Sequence, residues 1–353
     1  MAATLAAEGG DAEGALDLLE QLEAEGWPFL VPESDFGKVA ALPRFRALAA
    51  RLAARTLRGG PAQVAFTVGP ADLIPEGIAC DDASGAAFVG SIGHRKIVRI
   101  DGAAARDLVP TGQGGIVGVL GMTVDRPRRW LWAAHNPVGK AARASGRSGL
   151  AAFDLETGAT RAAAWLDGEH LLNDVAVAPT GDVYVTDSER GTVWRLRGGA
   201  GALERVAPEG TFYYPNGIVW LEERAAPIVA DASGLHLLDP ATSHPRRVAR
   251  GPAKCLGGVD GLQRAGDSLV AVQNGYRGER VVRWRFDPAA LAVTGETVLQ
   301  SMHPSFAAPT TGCVRGGRYL FIANSHISDL GAEGRPKDPA RLRPLEVLEL
   351  PLD

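Results

Sequence analysis

Residues 172–188, LNDVAVAPTGDVYVTDS, contain a short apolar strand, a turn, and a second apolar strand that ends in small polar residues. The same order recurs at 75–91, 119–135, 214–231, 259–274 and 310–325. The position held by Asp174 in the quoted stretch recurs every 43–53 residues, at Gly77, Gly121, Gly217, Gly261 and Gly312. Repeats of about 40–50 residues built from strand pairs are typical of propeller blades.

Each unit continues into a further apolar strand closed by a turn, such as TVWRLRGG at 192–199 and RVVRWRFDP at 280–288. Six units predict an all-β fold, a six-bladed β-propeller over residues 59–353. The early strand QVAFTVGP, residues 63–70, belongs to none of the six units. We expect it at the outer position of the last blade, where it closes the ring and leaves no free sheet edge. A β-sandwich offers no reason for this period.

Residues 1–58 have a helical pattern instead. Ala15, Leu18, Leu19 and Leu22 fall on one helical face, and Gly26 stands where a glycine would end that helix. In the next run Pro43 is expected to begin a helix, because proline suits the first helical position. The apolar side of that run is formed by Val39, Leu42, Phe45, Leu48 and Leu52.

The helical sequence GDAEGALDLLEQLEAEGWPF (10–29) with PRFRALAARL (43–52) resembles the end of a tetratricopeptide array. A complete repeat has about 34 residues, and at least three are needed for a stable array. Residues 1–58 are therefore either a helical cap on the propeller or a module that binds a protein partner through its helices.

Composition narrows the class of protein. Hydrophobic residues make up 46% and charged residues 22%, and the formal charge is −4 without blocks of Lys or Arg, which argues against a nucleic-acid groove. No apolar stretch is long enough to cross a bilayer, and the start shows no readable signal peptide. The compartment stays open: cytoplasmic as written, periplasmic or secreted if the chain begins inside a longer protein. Cys80, Cys255 and Cys313 are expected to be small core residues rather than a disulfide framework.

The innermost strands of a propeller begin at the rim of its central channel, so the residues that open them converge. The residue before each aligned position supplies two carboxylates and two carboxamides in the set Glu76, Leu120, Asn173, Asn216, Asp260 and Thr311. Oxygen ligands of this kind suit one hard divalent cation, Ca²⁺ above all, with Zn²⁺, Mn²⁺ or Mg²⁺ as alternatives. A polar residue before a glycine is often only a turn residue, but four such residues at equivalent positions favour a metal site.

The ordered signatures PEG (75–77), NDV (173–175), PNG (215–217) and VDG (259–261) resemble the gluconolactonase and senescence-marker-protein (regucalcin) family, which includes luciferin-regenerating enzymes. The resemblance covers residues 63–353 and implies metal binding by Glu76, Asn216 and Asp260. It also implies that Asn173 lies beside metal and substrate. Sugar-lactone members usually carry an arginine where this chain has Leu171, which makes a more apolar ester or lactone the better candidate.

The predicted function is a divalent-metal-dependent hydrolase of a lactone or ester. The cation would polarise the substrate carbonyl, with Asp260 as the base and Asn173 beside the substrate. A non-catalytic, metal-stabilised propeller that binds a partner is the main alternative. A different reaction on the same scaffold, as in strictosidine-synthase-like propellers, is a third.

Several polar residues end the second strands and are candidates for substrate contact, although such residues commonly make turn hydrogen bonds. They are His135, Asn136, Asp187, Asp231, Asn274, Asn324 and His326. The insertion NPVGKAARASGRSG, residues 136–149, is either a lid over the channel or a surface loop without a specific role.

Overall fold

The computed structural model describes residues 2–24, 27, 29–56, 59–253, 255–275 and 278–353. Within these residues the strands form six four-stranded antiparallel sheets, so the chain is a six-bladed β-propeller preceded by a short helical segment, as the repeat predicts.

The blades follow one another along the chain. Blade 1 holds β2 (Pro75–Cys80), β3 (Ala87–Ser91), β4 (Lys96–Asp101) and β5 (Ala104–Val109). Blade 2 holds β6 (Gly118–Asp125), β7 (Trp130–Asn136), β8 (Arg147–Asp154) and β9 (Thr160–Asp167). Blade 3 holds β10 (Leu172–Val177), β11 (Val183–Asp187), β12 (Thr192–Leu196) and β13 (Glu204–Arg205).

The second half of the ring repeats this order. Blade 4 holds β14 (Ile218–Leu221), β15 (Ala226–Asp231), β16 (Gly234–Leu238) and β17 (Pro245–Arg247). Blade 5 holds β18 (Val259–Ala265), β19 (Ser268–Gln273), β20 (Arg280–Asp287) and β21 (Ala292–Ser301). Blade 6 holds β22 (Gly312–Arg315), β23 (Arg318–Ile322), β24 (Leu345–Pro351) and, at its outer edge, β1 (Gln63–Val68).

Strand β1 pairs with β24, from Gln63 opposite Glu349 to Val68 opposite Leu345. The predicted closure of the ring is therefore confirmed. Because the outer strand of blade 6 comes from the start of the propeller sequence, the two ends of the ring are joined by main-chain hydrogen bonds.

The blades pack face to face, so the strands are buried on both sides. Strands β2, β3, β15 and β19 have no exposed residue, which explains their near-continuous apolar sequence. The innermost strands touch each other closely: a Cβ on Gly77 would lie 2.0 Å from the Leu120 carbonyl oxygen, and one on Gly121 would lie 2.5 Å from that of Asn173. Glycine at these positions lets the strand starts approach the channel axis.

The cysteine prediction is wrong in one respect. Cys80 of β2 and Cys313 of β22 form a disulfide across 233 residues of chain, whereas Cys255 is a buried residue outside this disulfide. The two residues are far apart in sequence but lie on inner strands of the first and last blades, which are neighbours in the closed ring. Sequence spacing could not reveal this, because only ring closure brings the two strands together.

The helical segment contains α1 (Ala2–Glu8), α2 (Ala12–Ala24) and α3 (Pro43–Arg55), and a further short helix, α4 (Lys140–Ser145), lies in the insertion of blade 2. Helix α3 begins at Pro43, as predicted. Gly26, expected to end α2, lies outside the described residues. Short 3-10 helices occupy Glu33–Asp35, Gly37–Ala41, Ala71–Leu73, Gln113–Gly115, Arg197–Gly199, Glu222–Arg224, Ile327–Asp329 and Pro339–Arg341.

Helices α2 and α3 share a small core of their own. Leu16 and Leu19 pack with Phe45, Leu48 and Leu52, and no strand residue belongs to this cluster. The predicted face of α2 is partly wrong, since Leu16 is fully buried while Leu18 and Leu22 are only partly buried. Leu16 and Leu19 are three residues apart and therefore lie on one side of the helix. None of the helices in the described part of the chain is long and apolar enough to cross a membrane.

Candidate metal centre

Four of the predicted ring residues each direct one buried oxygen atom that has no hydrogen-bond partner. They open the inner strands of blades 1, 3, 4 and 5, and the atoms are Glu76 Oε2, Asn173 Oδ1, Asn216 Oδ1 and Asp260 Oδ1. A buried oxygen without a partner is unfavourable, and one cation shared by the ring would satisfy all four.

The orientation of Asn173 follows from its neighbours. Its Nδ2 donates to Ser188 Oγ at 3.1 Å, and Ser188 Oγ donates to the carbonyl oxygen of Pro215 at 2.5 Å. With its amino group held by Ser188, the carboxamide of Asn173 keeps its oxygen as the free atom. Ser188 thus connects the start of blade 3 to the start of blade 4 and fixes a candidate ligand.

Asp260 is held in a similar way by a residue at the end of β19. Asn274 Nδ2 donates to Asp260 Oδ2 and also to the carbonyl oxygen of Pro309, the latter at 2.8 Å. Asp260 Oδ1 is left free. One oxygen of the carboxylate is therefore fixed by the protein and the other is available.

The backbone at Glu76 is fixed from blade 6. Thr310 Oγ1 and Thr311 Oγ1 both donate to the Glu76 carbonyl oxygen at 2.8 Å, and Thr311 Oγ1 accepts a hydrogen bond from the Ile78 amide at 3.2 Å. Thr311, the ring residue of blade 6, thus supports a candidate ligand from the neighbouring blade.

The electrostatics of the ring fit a cation. Burial raises the pKa of Glu76 well above its usual range, and the negative charges of Asp260 and Asp174 raise it further. Burial also raises the pKa of Asp260, to about 6, although hydrogen bonds from Asn274 and Asn216 act in the opposite direction. Two buried carboxylates that disfavour each other's charge are stabilised in ionised form by a bound divalent ion.

A third buried carboxylate, Asp174, was not anticipated as a site residue. Its Oδ1 accepts the Val175 amide at 2.9 Å and its Oδ2 accepts the Ile218 amide of blade 4 at 3.1 Å. Burial raises its pKa to about 7. Asp174 holds the position that is glycine in the other five blades. This departure from the repeat could have identified it in the sequence as a candidate site residue.

The donor set decides which ions fit. No group of three or more His, Cys, Asp or Glu side chains within the described ranges is arranged to hold a metal ion. A cation at the ring would therefore depend on the carboxamide oxygens of Asn173 and Asn216 in addition to two carboxylates. Such an all-oxygen set suits Ca²⁺, which accepts carbonyl-type ligands and water.

Comparison with known proteins supports the architecture. Residues 172–196 match the family model described as NHL repeat. No curated protein sequence matches the chain significantly. Blade 3 is therefore similar to an NHL repeat.

Solved structures share the fold. The PQQ-bound aldose sugar dehydrogenase of Streptomyces coelicolor is similar over 82% of this chain and 98% of that chain, with 16% identity and a TM-score of 0.53. An oxidoreductase of Thermus thermophilus described as a glucose dehydrogenase is similar over 82% of this chain and 100% of that chain, with 15% identity and a TM-score of 0.54. Virginiamycin B lyase of Staphylococcus aureus is similar over 74% of this chain and 81% of that chain, with 16% identity and a TM-score of 0.52.

These neighbours include enzymes of two reaction types, a dehydrogenase and a lyase. At 15–16% identity the likeness establishes the propeller fold.

Most of the polar residues at the ends of the second strands make local hydrogen bonds, within a blade or to the next blade. Asn136 bridges blades 2 and 3 through Nδ2 to the Leu172 carbonyl oxygen and through Oδ1 to the Leu172 amide, both at 2.7 Å. Asn324 accepts the Glu346 amide at 2.7 Å and donates to the Pro344 carbonyl oxygen at 2.9 Å.

The remaining candidates are also engaged locally. Asp187 pairs with His170 Nδ1 at 2.6 Å, Asp231 with His236 Nε2 at 3.2 Å, and His326 Nδ1 with Asp329 at 2.9 Å. His135 is fully buried with its ring 4.7 Å from that of Trp165, and burial lowers its pKa to about 4. Asn274, by contrast, donates a hydrogen bond to the ring residue Asp260.

Two cavities lie at opposite ends of the channel. One of about 250 Å³ adjoins the ring and is lined by Leu120 and Leu171. A larger one of about 550 Å³ lies at the far ends of the inner strands, where Val124, Val177 and Trp220 line it. The smaller cavity shares Leu120 with the ring.

Proposed function

We propose that this protein is a divalent-metal-dependent hydrolase that acts on a lactone or ester at the mouth of the central channel. The observation that carries the proposal is the set of four buried, partnerless oxygen atoms on Glu76, Asn173, Asn216 and Asp260. The likeness of the strand-start signatures to the gluconolactonase and regucalcin family supports the same assignment.

The four residues would hold the ion, with Ca²⁺ as the first candidate. When bound, the cation supplies a Lewis acid that polarises the carbonyl of the substrate and stabilises the oxyanion that forms from it. Asn173 would contact the ion, because its oxygen is free while Ser188 fixes its amino group. The family resemblance implies that it also lies beside the substrate.

Asp260 is the base in this proposal. As a water molecule adds to the carbonyl carbon, its proton passes to the carboxylate of Asp260, and the tetrahedral species then breaks its carbon–oxygen bond to the leaving group. The proton returns from Asp260 to the leaving alkoxide, so no other reactant is required. Asn274 holds the opposite oxygen of the carboxylate and acts as a positioning residue.

The test compares metal binding and turnover in matched variants. Glu76→Gln and Asp260→Asn are expected to lower Ca²⁺ affinity in calorimetry at least tenfold and to abolish hydrolysis of a panel of aliphatic and sugar lactones and esters. The control is Asp125→Asn, which changes a buried carboxylate in the turn at the opposite end of the inner strands, paired with Arg128 at 2.8 Å. This control should keep wild-type affinity and turnover.

The outcomes separate the candidate functions. Hydrolysis by Asp260→Asn at the wild-type rate in chelator would contradict the proposal. Tight Ca²⁺ binding without turnover of any ester or lactone, with Ca²⁺, Mn²⁺, Mg²⁺ or Zn²⁺ present, would also contradict it and favour a metal-stabilised interaction module.

A further inference from the structure

The cavity beside the ring is apolar. Leu120 holds the same strand-start position as the four oxygen-bearing residues, and Leu171 precedes Asn173 by two residues. Ile92, which also lines the cavity, and Ile74 pack against Leu120. The part of the wall formed by these residues is thus continuous with the candidate metal ring at Leu120 but offers hydrocarbon in place of hydrogen-bonding groups.

The insertion of blade 2 and a loop of blade 6 complete the walls of this cavity. Val138 and Gly139 line it from the insertion, and Leu330 and Gly334 line it from the blade 6 loop. The two segments touch: a Cβ on Gly139 would lie 2.6 Å from the Ala332 carbonyl oxygen, and one on Gly334 would lie 2.3 Å from Val138 Cγ1. The two loops therefore form adjoining walls of the cavity.

Among the described residues that line this cavity, Arg143 of α4 is the one with a charged side chain. Its side chain is 17% exposed, its Nε is buried without a partner, and its ion pair with Glu189 is long, at 3.6 Å. A guanidinium in this state retains a free donor for an acceptor oxygen.

Arg143 and the ring are connected through this cavity. Arg143 and Leu120 line the same cavity, and Leu120 holds the strand-start position of blade 2 in the ring. The cavity therefore extends from the insertion to the start of an inner strand at the channel mouth.

We propose that this cavity is the subsite for an apolar chain of the substrate, and that Arg143 binds an oxygen of the carboxyl group from which that chain extends. The substrates are then esters or lactones with a hydrocarbon chain rather than polyhydroxylated sugar lactones. This inference rests on the proposed function, but ligand binding can be measured without turnover.

The test uses straight-chain alkanoates, which carry the carboxylate product of ester hydrolysis on a hydrocarbon chain. Calorimetry of the Ca²⁺-loaded protein should show affinity rising about threefold to fourfold per methylene from butyrate to octanoate, with gluconate bound far more weakly. Leu171→Glu should remove the chain-length dependence, because it places a charge in the apolar wall. Arg143→Met should lower the affinity for octanoate about tenfold or more, and Arg143→Lys should lower it by a smaller factor.

The matched control is Arg126→Gln, which removes an exposed arginine paired with Asp82 in the turn at the opposite end of the inner strands. It should bind octanoate like the wild type. Equal affinity for butyrate, octanoate and gluconate, or unchanged octanoate binding by both Leu171→Glu and Arg143→Met, would overturn the subsite. Selective octanoate binding without ester hydrolysis would leave the subsite standing and overturn the hydrolase proposal.

Discussion

Asn274 Nδ2 donates a hydrogen bond to Asp260 Oδ2, while Oδ1 of the same carboxylate has no partner. Asn274 ends the second strand of blade 5, and Asp260 opens the first strand of that blade. Asn274, at the end of its strand, therefore holds the carboxylate of Asp260, the residue proposed as metal ligand and base.

Replacing Asn274 by alanine is expected to lower kcat about tenfold to a hundredfold with a smaller change in KM. Without the hydrogen bond the carboxylate of Asp260 can rotate, and both oxygens lose their fixed roles. Asn274→Asp should be worse than Asn274→Ala, because it sets a second negative charge against Asp260. Steady-state kinetics with saturating metal check this, and an effect confined to KM would contradict the positioning role.

Removal of divalent cations should lower the thermal stability of the wild type. A cation that binds only the folded protein stabilises it by about 2.7 kcal/mol when its concentration is a hundred times Kd. In scanning calorimetry, chelator should lower the Tm of the wild type but leave that of a Glu76→Gln/Asp260→Asn double variant unchanged. In chelator the double variant should have a higher Tm than the wild type, because it lacks two buried charges. A chelator effect of equal size in both proteins would contradict the metal centre.

Asp81 ties blade 1 to blade 2 and should make stability depend on pH in acid. Burial raises its pKa, but hydrogen bonds from Arg129, at 2.7 Å, and Ser84 outweigh this and lower the pKa from 3.8 to about 2. Because the folded pKa is depressed, the stabilisation is present above about pH 4 and is lost as the pH falls toward 2. Asp81→Asn should cost about 1–2 kcal/mol at pH 7 and flatten stability over that window in urea titrations.

The neighbouring Asp82 provides the control for this experiment. It is half-exposed and pairs with Arg126 at 2.7 Å. Asp82→Asn should change the free energy of unfolding by no more than about 1 kcal/mol, because exposed ion pairs contribute little. If both variants behaved alike, the buried Asp81–Arg129 pair would not be the source of the acid sensitivity.

The Cys80–Cys313 disulfide should stabilise the closed ring. It joins the first and last blades, so its loss leaves the β1–β24 pairing as the main-chain closure. A Cys80→Ser/Cys313→Ser variant is expected to lose about 2–5 kcal/mol in denaturant unfolding. Reducing agent should lower the stability of the wild type and leave the variant unaffected. An equal response of the two proteins would show that the bond contributes nothing.

The architecture could be predicted because its causes are repetitive and local. Strand–turn–strand units with a glycine or aspartate at each inner-strand start recur six times, and the surplus strand at 63–70 has one position that closes the sheet edge. Pro43 likewise began a helix, because proline at the first helical position loses no hydrogen bond. The face of α2 was less predictable, since the helices packed against it decide which leucines are buried.

The amino-acid sequence by itself determined the six blades and the strand-start positions of Glu76, Asn173, Asn216 and Asp260, because a short repeat imposes equivalent places on its units. Tertiary structure alone decided which atoms are free. Ser188 hydrogen-bonds one side of Asn173, and Asn274 hydrogen-bonds one side of Asp260. Cys80 forms a disulfide with Cys313, and two loops line a cavity beside Leu171. These contacts join residues from different strands or blades, and they exist only once the strands have stacked around a common axis.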